Sequence, residues 1–276
     1  MNRYQYLNGN GEHVHQLDGQ PLIGTSRVGG ILAKPLTYWA SGLAVQTFGV
    51  PDYKVLGRIK TGKATLREKA DHMAALEAAL KVIKGSTVEQ YAALIDKAYR
   101  AHATTLKEKA TAGTDLHAEL ERFVKDRMDI TDDTVLPNVM YDEKIYPFIA
   151  WSHDNVKRFL WAEGHCYSEK HWLGGICDVG YEKHDGTYGI GDFKSAKGAY
   201  FEHFTQIAGY HIQIEENGVL DSDGNQIYAL EKPVTEYIVV PFGAPKVEPQ
   251  PHVDQAGLRD TFLHMLAVYK AMPKPE

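Results

Sequence analysis

Apolar and polar positions along the chain divide it into a mostly helical first half and a second half rich in strand signals. Tyr4-Gln5-Tyr6 and His13-Val14-His15 alternate around Asn8-Gly9-Asn10-Gly11, which predicts a β-hairpin, and Asp18-Gly19 marks a further turn. From Thr25 to Val45 apolar residues recur at helical spacing, with Pro35 opening a second helix at Leu36-Thr37-Tyr38-Trp39. Residues 64–84, rich in Ala, Leu, Glu and Lys, predict a helix ending at Gly85. Thr87-Val88-Glu89-Gln90 is a capping-box pattern that opens another, running to about His102. A third helix is expected from near Thr114 to about Met128.

The pattern changes after about residue 130. Asp129 to Asn138 is polar, contains Pro137 and reads as a loop. Phe148, Trp151, Val156, Phe159 and Leu160 predict a helix from about Tyr146 to Ala162. Strand signals follow at Cys166 to Glu169, Trp172 to Tyr181 and Tyr188 to Lys194, the last two joined by a turn at His184-Asp185-Gly186. A helix over 199–216 ends at Asn217-Gly218, Val234 to Pro241 is an apolar strand, and 254–271 is a closing amphipathic helix. Asp221 to Asn225 lacks the oxygen ladder and closing Glu of a calcium loop and reads as a hairpin turn. The division expected is an N-terminal hairpin and helical region, 1–110, forming part of a channel wall, and a mixed α/β core, 111–276, within one compact unit.

Composition narrows the classes. A chain of 276 residues that is 43% hydrophobic and 24% charged can build a full core in water. No apolar run approaches the roughly 20 residues needed to span a bilayer, and Met1 to Tyr6 is polar and aromatic, unlike a secretory signal. Cys166 and Cys177 are the only cysteines, too few for a disulfide framework or a four-cysteine zinc or iron–sulfur site, and a reducing cytoplasm is the simplest setting. A net charge of −6 argues against non-specific coating of nucleic acid but not against a local grip. Lys54, Arg58, Lys60, Lys63, Arg67 and Lys69, with only Glu68 against them, form a basic island that reads as a solvated face or as a DNA-contacting patch.

The candidate chemistry lies in Asp178 and in Gly191-Asp192-Phe193-Lys194. Asp192 and Lys194 are two apart, so on a strand they share a face while Phe193 points to the core. The turn at 184–186 sets the two strands side by side and lets Asp178 approach Asp192. Two carboxylates, with the Phe193 backbone carbonyl, suit a hard divalent cation. Lys194 would orient or help deprotonate an attacking water. By itself Asp-x-Lys is a common tripeptide that also fits a surface ion pair. Two further pairs at i,i+4 spacing, Gln206 with Tyr210 and His117 with Glu121, present companion groups on helix faces.

Gly113 to Glu121, Glu169, Gly174 to Asp178, Gly191 to Ala196 and Gln206 to Tyr210, in that order, resemble the RecB-type branch of the PD-(D/E)xK nuclease superfamily, which includes phage recombination exonucleases. The resemblance covers about residues 110–215, with a looser match near Thr25 to Trp39. It implies a restriction-endonuclease-like core with a mixed central sheet flanked by helices, preceded by a helical N-terminal region. It implies that His117, Asp178 and Asp192 ligate Mg²⁺ or Mn²⁺ and that Lys194 is catalytic. It further implies that Gln206 and Tyr210 contact DNA or brace the site. Glu121, Glu169 and Ser195 are supporting candidates, with Glu169 on the strand before the first ligand. Asp192 stands where Glu is common in the family, and Cys177 precedes Asp178 where some members carry proline. Absence of the four cysteines argues against the iron–sulfur subgroup.

The expectation is a Mg²⁺- or Mn²⁺-dependent DNA exonuclease acting on free DNA ends in recombination, repair or phage DNA metabolism, with a recombinase, annealing protein or helicase as a plausible partner and an oligomer as an option. The alternatives are a structure- or site-specific endonuclease of the same fold and a non-catalytic DNA-end-binding module.

Overall fold

A computed structural model describes residues 2–9, 12–32, 37–48, 53–130, 139–252 and 254–273. Along the chain these form β1 (Tyr4–Gly9), β2 (Glu12–Leu17), β3 (Gln20–Pro21), β4 (Ile23–Gly24) and α1 (Thr25–Gly29), then α2 (Thr37–Thr47), α3 (Tyr53–Lys60), α4 (Leu66–Gly85) and α5 (Val88–Met128). The second half runs α6 (Tyr146–Asn155), β5 (Val156–Ser168), β6 (Leu173–Lys183), β7 (Tyr188–Lys194), α7 (Phe201–Asn217), β8 (Val219–Leu220), β9 (Gln226–Tyr228), β10 (Val234–Pro241), β11 (Gln250–His252) and α8 (Gln255–Ala271). No helix of the described residues is long and apolar enough to cross a membrane.

The chain divides into two compact units. One holds residues 1–33 and 112–276, the other residues 34–111. The N-terminal hairpin, expected with the helical region, therefore belongs to the sheet-containing unit. Its exit strand β4 explains this: Ile23 and Gly24 pair in parallel with Leu173 and Gly174 of β6. The hairpin's Tyr4 and Leu17 also close a small core with Leu22 and Leu220.

The unit is α/β with a mixed central sheet ordered β11-β10-β7-β6-β5-β8-β9. β5, β6 and β7 form an antiparallel meander, and β10 adds to β7 in parallel. Helices cover both faces. On one, Ile207, Ala208 and Ile212 of α7 and Phe262 of α8 pack against Trp161, Ile190 and Val239. On the other, Leu120, Phe123 and Val124 of α5 and Phe148 of α6 pack against Phe159, Val179 and Phe193. Burial of such side chains at roughly 1.5–3 kcal/mol each is the main force fixing the site's scaffold.

Helix caps follow the sequence. Thr65 and Glu68 form a reciprocal capping box at α4, and Thr87 and Gln90 exchange bonds of 2.9 and 3.3 Å at the start of α5. Two boundaries differ from expectation. α5 is one continuous helix, not two segments separated around residues 103–113, because Ala, Leu, Lys and Glu outnumber the weaker Thr104, Thr105 and Thr111 in that stretch and an internal Gly113 costs only about 1 kcal/mol. The helix of 146–162 stops at Asn155, and Val156 onward is strand. There Val156, Phe159 and Trp161 gain a β6 partner and burial that an extended α6 would forgo.

Candidate metal centre

Three carboxylates lie in one row across three neighbouring strands. Ala162 pairs with Val179 and Gly164 with Cys177, so Glu163 of β5 stands opposite Asp178 of β6. Val179 pairs with Gly191, so the next residues along, Asp178 and Asp192, stand opposite each other on β6 and β7. The β6–β7 ladder ends there. Instead of a backbone partner, the Phe193 N–H donates to Asp178 Oδ2 at 2.5 Å. That bond fixes the first acid at the fork where the strands part. Asp192 is 1% exposed and Asp178 9%. Phe193 turns its ring into the core beside α5, and alternation sends Asp192 and Lys194 the other way, where Lys194 Nζ lies 2.6 Å from Asp192 Oδ2.

The last turns of α5 bring a second set of donors. Leu116, Leu120, Phe123 and Val124 form the stripe that holds the helix on the sheet. His117 and Glu121, one turn apart, flank that stripe and face the acid row. His117 Nε2 lies 3.3 Å from Asp178 Oδ2 and 3.8 Å from Glu163 Oε1. Ligand atoms of His117, Glu121 and Glu163 all lie within 4.8 Å of one another, the spacing of a possible metal-binding triad. Glu121 also pairs with Lys125.

So many charges in a buried place repel. Burial and the Asp178 charge push the Glu163 carboxyl up to about 8, against the pull of His117. Burial likewise pushes Asp192 up to about 7, with Lys194 opposing and Asp178 adding to the rise. Burial alone would lower His117, but the hydrogen bond to Asp178 and the charges of Asp178, Glu163 and Asp192 raise it to about 9. Burial works against the Lys194 ammonium too, and Asp192 and Asp178 more than offset it, so the group stays a cation. Glu163 Oε1 is buried and has no hydrogen-bond donor, while the buried Asp192 Oδ2 is met by the Lys194 ammonium. Glu163 also sits at φ 53°, a left-handed conformation that costs a non-glycine residue about 1–3 kcal/mol and concentrates at functional sites.

Gln206 and Tyr210 meet on α7, where Gln206 Nε2 donates to the Tyr210 hydroxyl at 2.5 Å. They are 9% and 5% exposed, a placement that suits bracing better than contact with a polymer. The Tyr210 ring lies against glycine backbone: a Cβ on Gly175 would come within 2.6 Å of it and 2.9 Å of Thr25 Oγ1. Thr25 in turn donates to the Gly174 carbonyl and accepts from Gln213, which ties α1, β6 and α7 together beneath the acids.

One expectation is corrected. Glu169 does not join the site: it is exposed and ion-paired to Arg3 at 3.1 Å, because it lies in the turn after β5 ends. The acid of that strand is Glu163, which the sequence reading passed over. Ser195 follows Lys194 as an exposed residue. The basic island lies in the helical unit, where Arg58 pairs with Glu68 at 2.6 Å and Arg67 with Asp71 at 3.8 Å, while Lys60, Lys63 and Lys69 are exposed. The Lys54 side chain lies outside the described residues. Cys166 and Cys177 are buried free thiols, and two of them make no iron–sulfur cluster. No protein-family model matches the chain, and no curated protein matches it at significant similarity.

Proposed function

We propose that this chain is a divalent-metal-dependent DNA exonuclease with a restriction-endonuclease-like core of the RecB-type branch of the PD-(D/E)xK superfamily. The observation that carries the reading is the row Glu163–Asp178–Asp192 across adjacent strands, with Lys194 beside its last acid and His117 and Glu121 closing it from α5. The donor set fits a hard cation. It is made of carboxylate oxygens and one imidazole, and it includes one buried oxygen, Glu163 Oε1, with no hydrogen-bond donor. Carboxylates pushed toward neutrality by burial and mutual repulsion regain their charge when a cation joins them.

Asp178, Asp192 and Glu163 would hold Mg²⁺ or Mn²⁺, with His117 and Glu121 completing the set. Bound there, the ion supplies positive charge to a phosphodiester and to the leaving oxygen. Lys194 stays protonated, which suits it to orient a water and offset phosphoryl charge rather than to abstract a proton. The Phe193 N–H holds the Asp178 carboxylate in one orientation, and the Gln206–Tyr210 bond stiffens α7 near Lys194's strand.

Asp192→Ala and Lys194→Ala should each slow hydrolysis of linear DNA by at least about 100-fold with metal present. Hydrolysis by either variant at the wild-type rate would overturn the reading. Cleavage of closed circular DNA would mark an endonuclease, and metal-dependent DNA binding without any hydrolysis would mark a non-catalytic module.

A further inference from the structure

A cavity of about 360 Å³ opens beside the acid row and is lined in part by Tyr6, His13, His15, Arg27, Glu163 and Tyr210. Glu163 belongs both to this cavity and to the candidate metal centre, so the two are contiguous. One wall comes from the N-terminal hairpin, through Tyr6, His13 and His15. Tyr6 and His13 lie with ring planes 11° apart and centroids 6.0 Å apart, joined by a 2.5 Å bond between the Tyr6 hydroxyl and His13 Nδ1. Tyr6 is backed by His15 and His165, at centroid distances of 5.1 and 4.7 Å. Backing rings and that bond give the pair a fixed, partly exposed aromatic face. Arg27 is exposed and makes no ion pair with the described residues. The floor is glycine backbone: a Cβ at Gly174 would fall 2.5 Å from His15 Cβ, so the hairpin can approach β6 only because that position is bare.

A volume near the lower end of small-ligand pockets, roughly 300–1,000 Å³, admits one nucleotide and not a base pair. Aromatic faces beside a phosphate-binding centre are the usual means of holding an unpaired base, because every base has a π-face. We propose that this cavity takes the unpaired base of the nucleotide next to the scissile phosphate, stacked on the Tyr6–His13 pair. The inference rests on the nuclease reading and refines it: the substrate is DNA whose end is single-stranded, or is opened by at least one base pair before cleavage.

The test is single-turnover cleavage, in Mg²⁺, of end-labelled oligonucleotides that carry either a normal base or an abasic residue at the terminal or penultimate nucleotide. Wild-type protein should cleave one of the abasic substrates about tenfold or more slowly than the normal one. Tyr6→Leu with His13→Leu should slow the normal substrate to a similar extent and lose the discrimination. Tyr6→Trp, which keeps an aromatic face, should retain it and guards against a variant that only misfolds. Equal rates on normal and abasic substrates, or discrimination surviving in the leucine double variant, overturn this proposal alone. Failure of the wild type to cleave any substrate overturns the nuclease reading with it.

Discussion

Replacing Glu163 with glutamine should make the metal-free protein more stable while removing what the carboxylate is for. The glutamate carboxyl titrates near 8 in the fold, from an ordinary value of 4.5, because it is buried and faces Asp178. A folded pKa raised above the unfolded one contributes stability that is present in full below about 4.5 and is lost as pH rises to about 8. At pH 7 the unfolded chain has released this proton and the folded chain retains it. With 1.36 kcal/mol per pH unit, about 3 kcal/mol of that stability is already gone. Glutamine has the same shape and no charge to desolvate, so in EDTA Glu163→Gln should gain on the order of 2–3 kcal/mol. That is a rise in Tm of several degrees at roughly 2–4 °C per kcal/mol. Differential scanning fluorimetry from pH 5 to 8 measures it, and the gain should shrink toward pH 5. Adding Mn²⁺ should raise the Tm of the wild type more than that of the variant, because a cation that binds only the folded state stabilises it by mass action. A variant less stable than wild type in EDTA at pH 7, or equally stabilised by Mn²⁺, would refute the reasoning.

Three further outcomes follow from the geometry. Gly175→Ala should cost about 1–3 kcal/mol in denaturant unfolding, because its Cβ would meet the Tyr210 ring at 2.6 Å and Thr25 Oγ1 at 2.9 Å, and both are pinned by hydrogen bonds. His15 is lowered to about 4 by burial and by the nearby His165 and His13, so it favours the fold above its unfolded value near 6.5. This contribution is lost as pH falls from about 6.5 to about 4, up to about 3 kcal/mol; His15→Asn should flatten that limb of a Tm–pH curve, and an unchanged slope would count against it. Glu169→Ala should leave DNA hydrolysis unchanged and alter stability by less than about 1 kcal/mol, since its pair with Arg3 is exposed; a large loss of activity would restore it to the site.

How much of this was legible in the sequence depended on how far each strand is tied down locally. Asp178, Asp192 and Lys194 could be placed because one short turn, closed at Gly186, fixes the β6–β7 register, and period-two alternation then decides which residues share a face. Glu163 could not. Its strand shifts register by one residue between Val156 and Arg158 and again between Phe159 and Trp161, and Glu163 itself sits at φ 53°, so simple alternation does not carry through it. The same stretch carries apolar residues at spacings that also fit a helix, and only pairing with β6 decides between them. A usable signal was the β-branched and aromatic run Val156 to Trp161 followed by Glu163-Gly164. His117 and Glu121 were legible as a helix-face pair. Their approach to β5 was not, because that depends on how Leu120 and Phe123 seat α5 on the sheet. The hairpin's place beside the site was equally hidden, since it rests on the two-residue pairing of β4 with β6.

The central claim is that the acid row and Lys194 cleave DNA at its ends with a divalent cation. Digestion of end-labelled linear duplex and single-stranded DNA in Mg²⁺ or Mn²⁺, alongside closed circular DNA and an EDTA control, tests it most directly. The account predicts release of nucleotides from linear DNA only, abolished by EDTA; linear DNA left intact in both metals would contradict it.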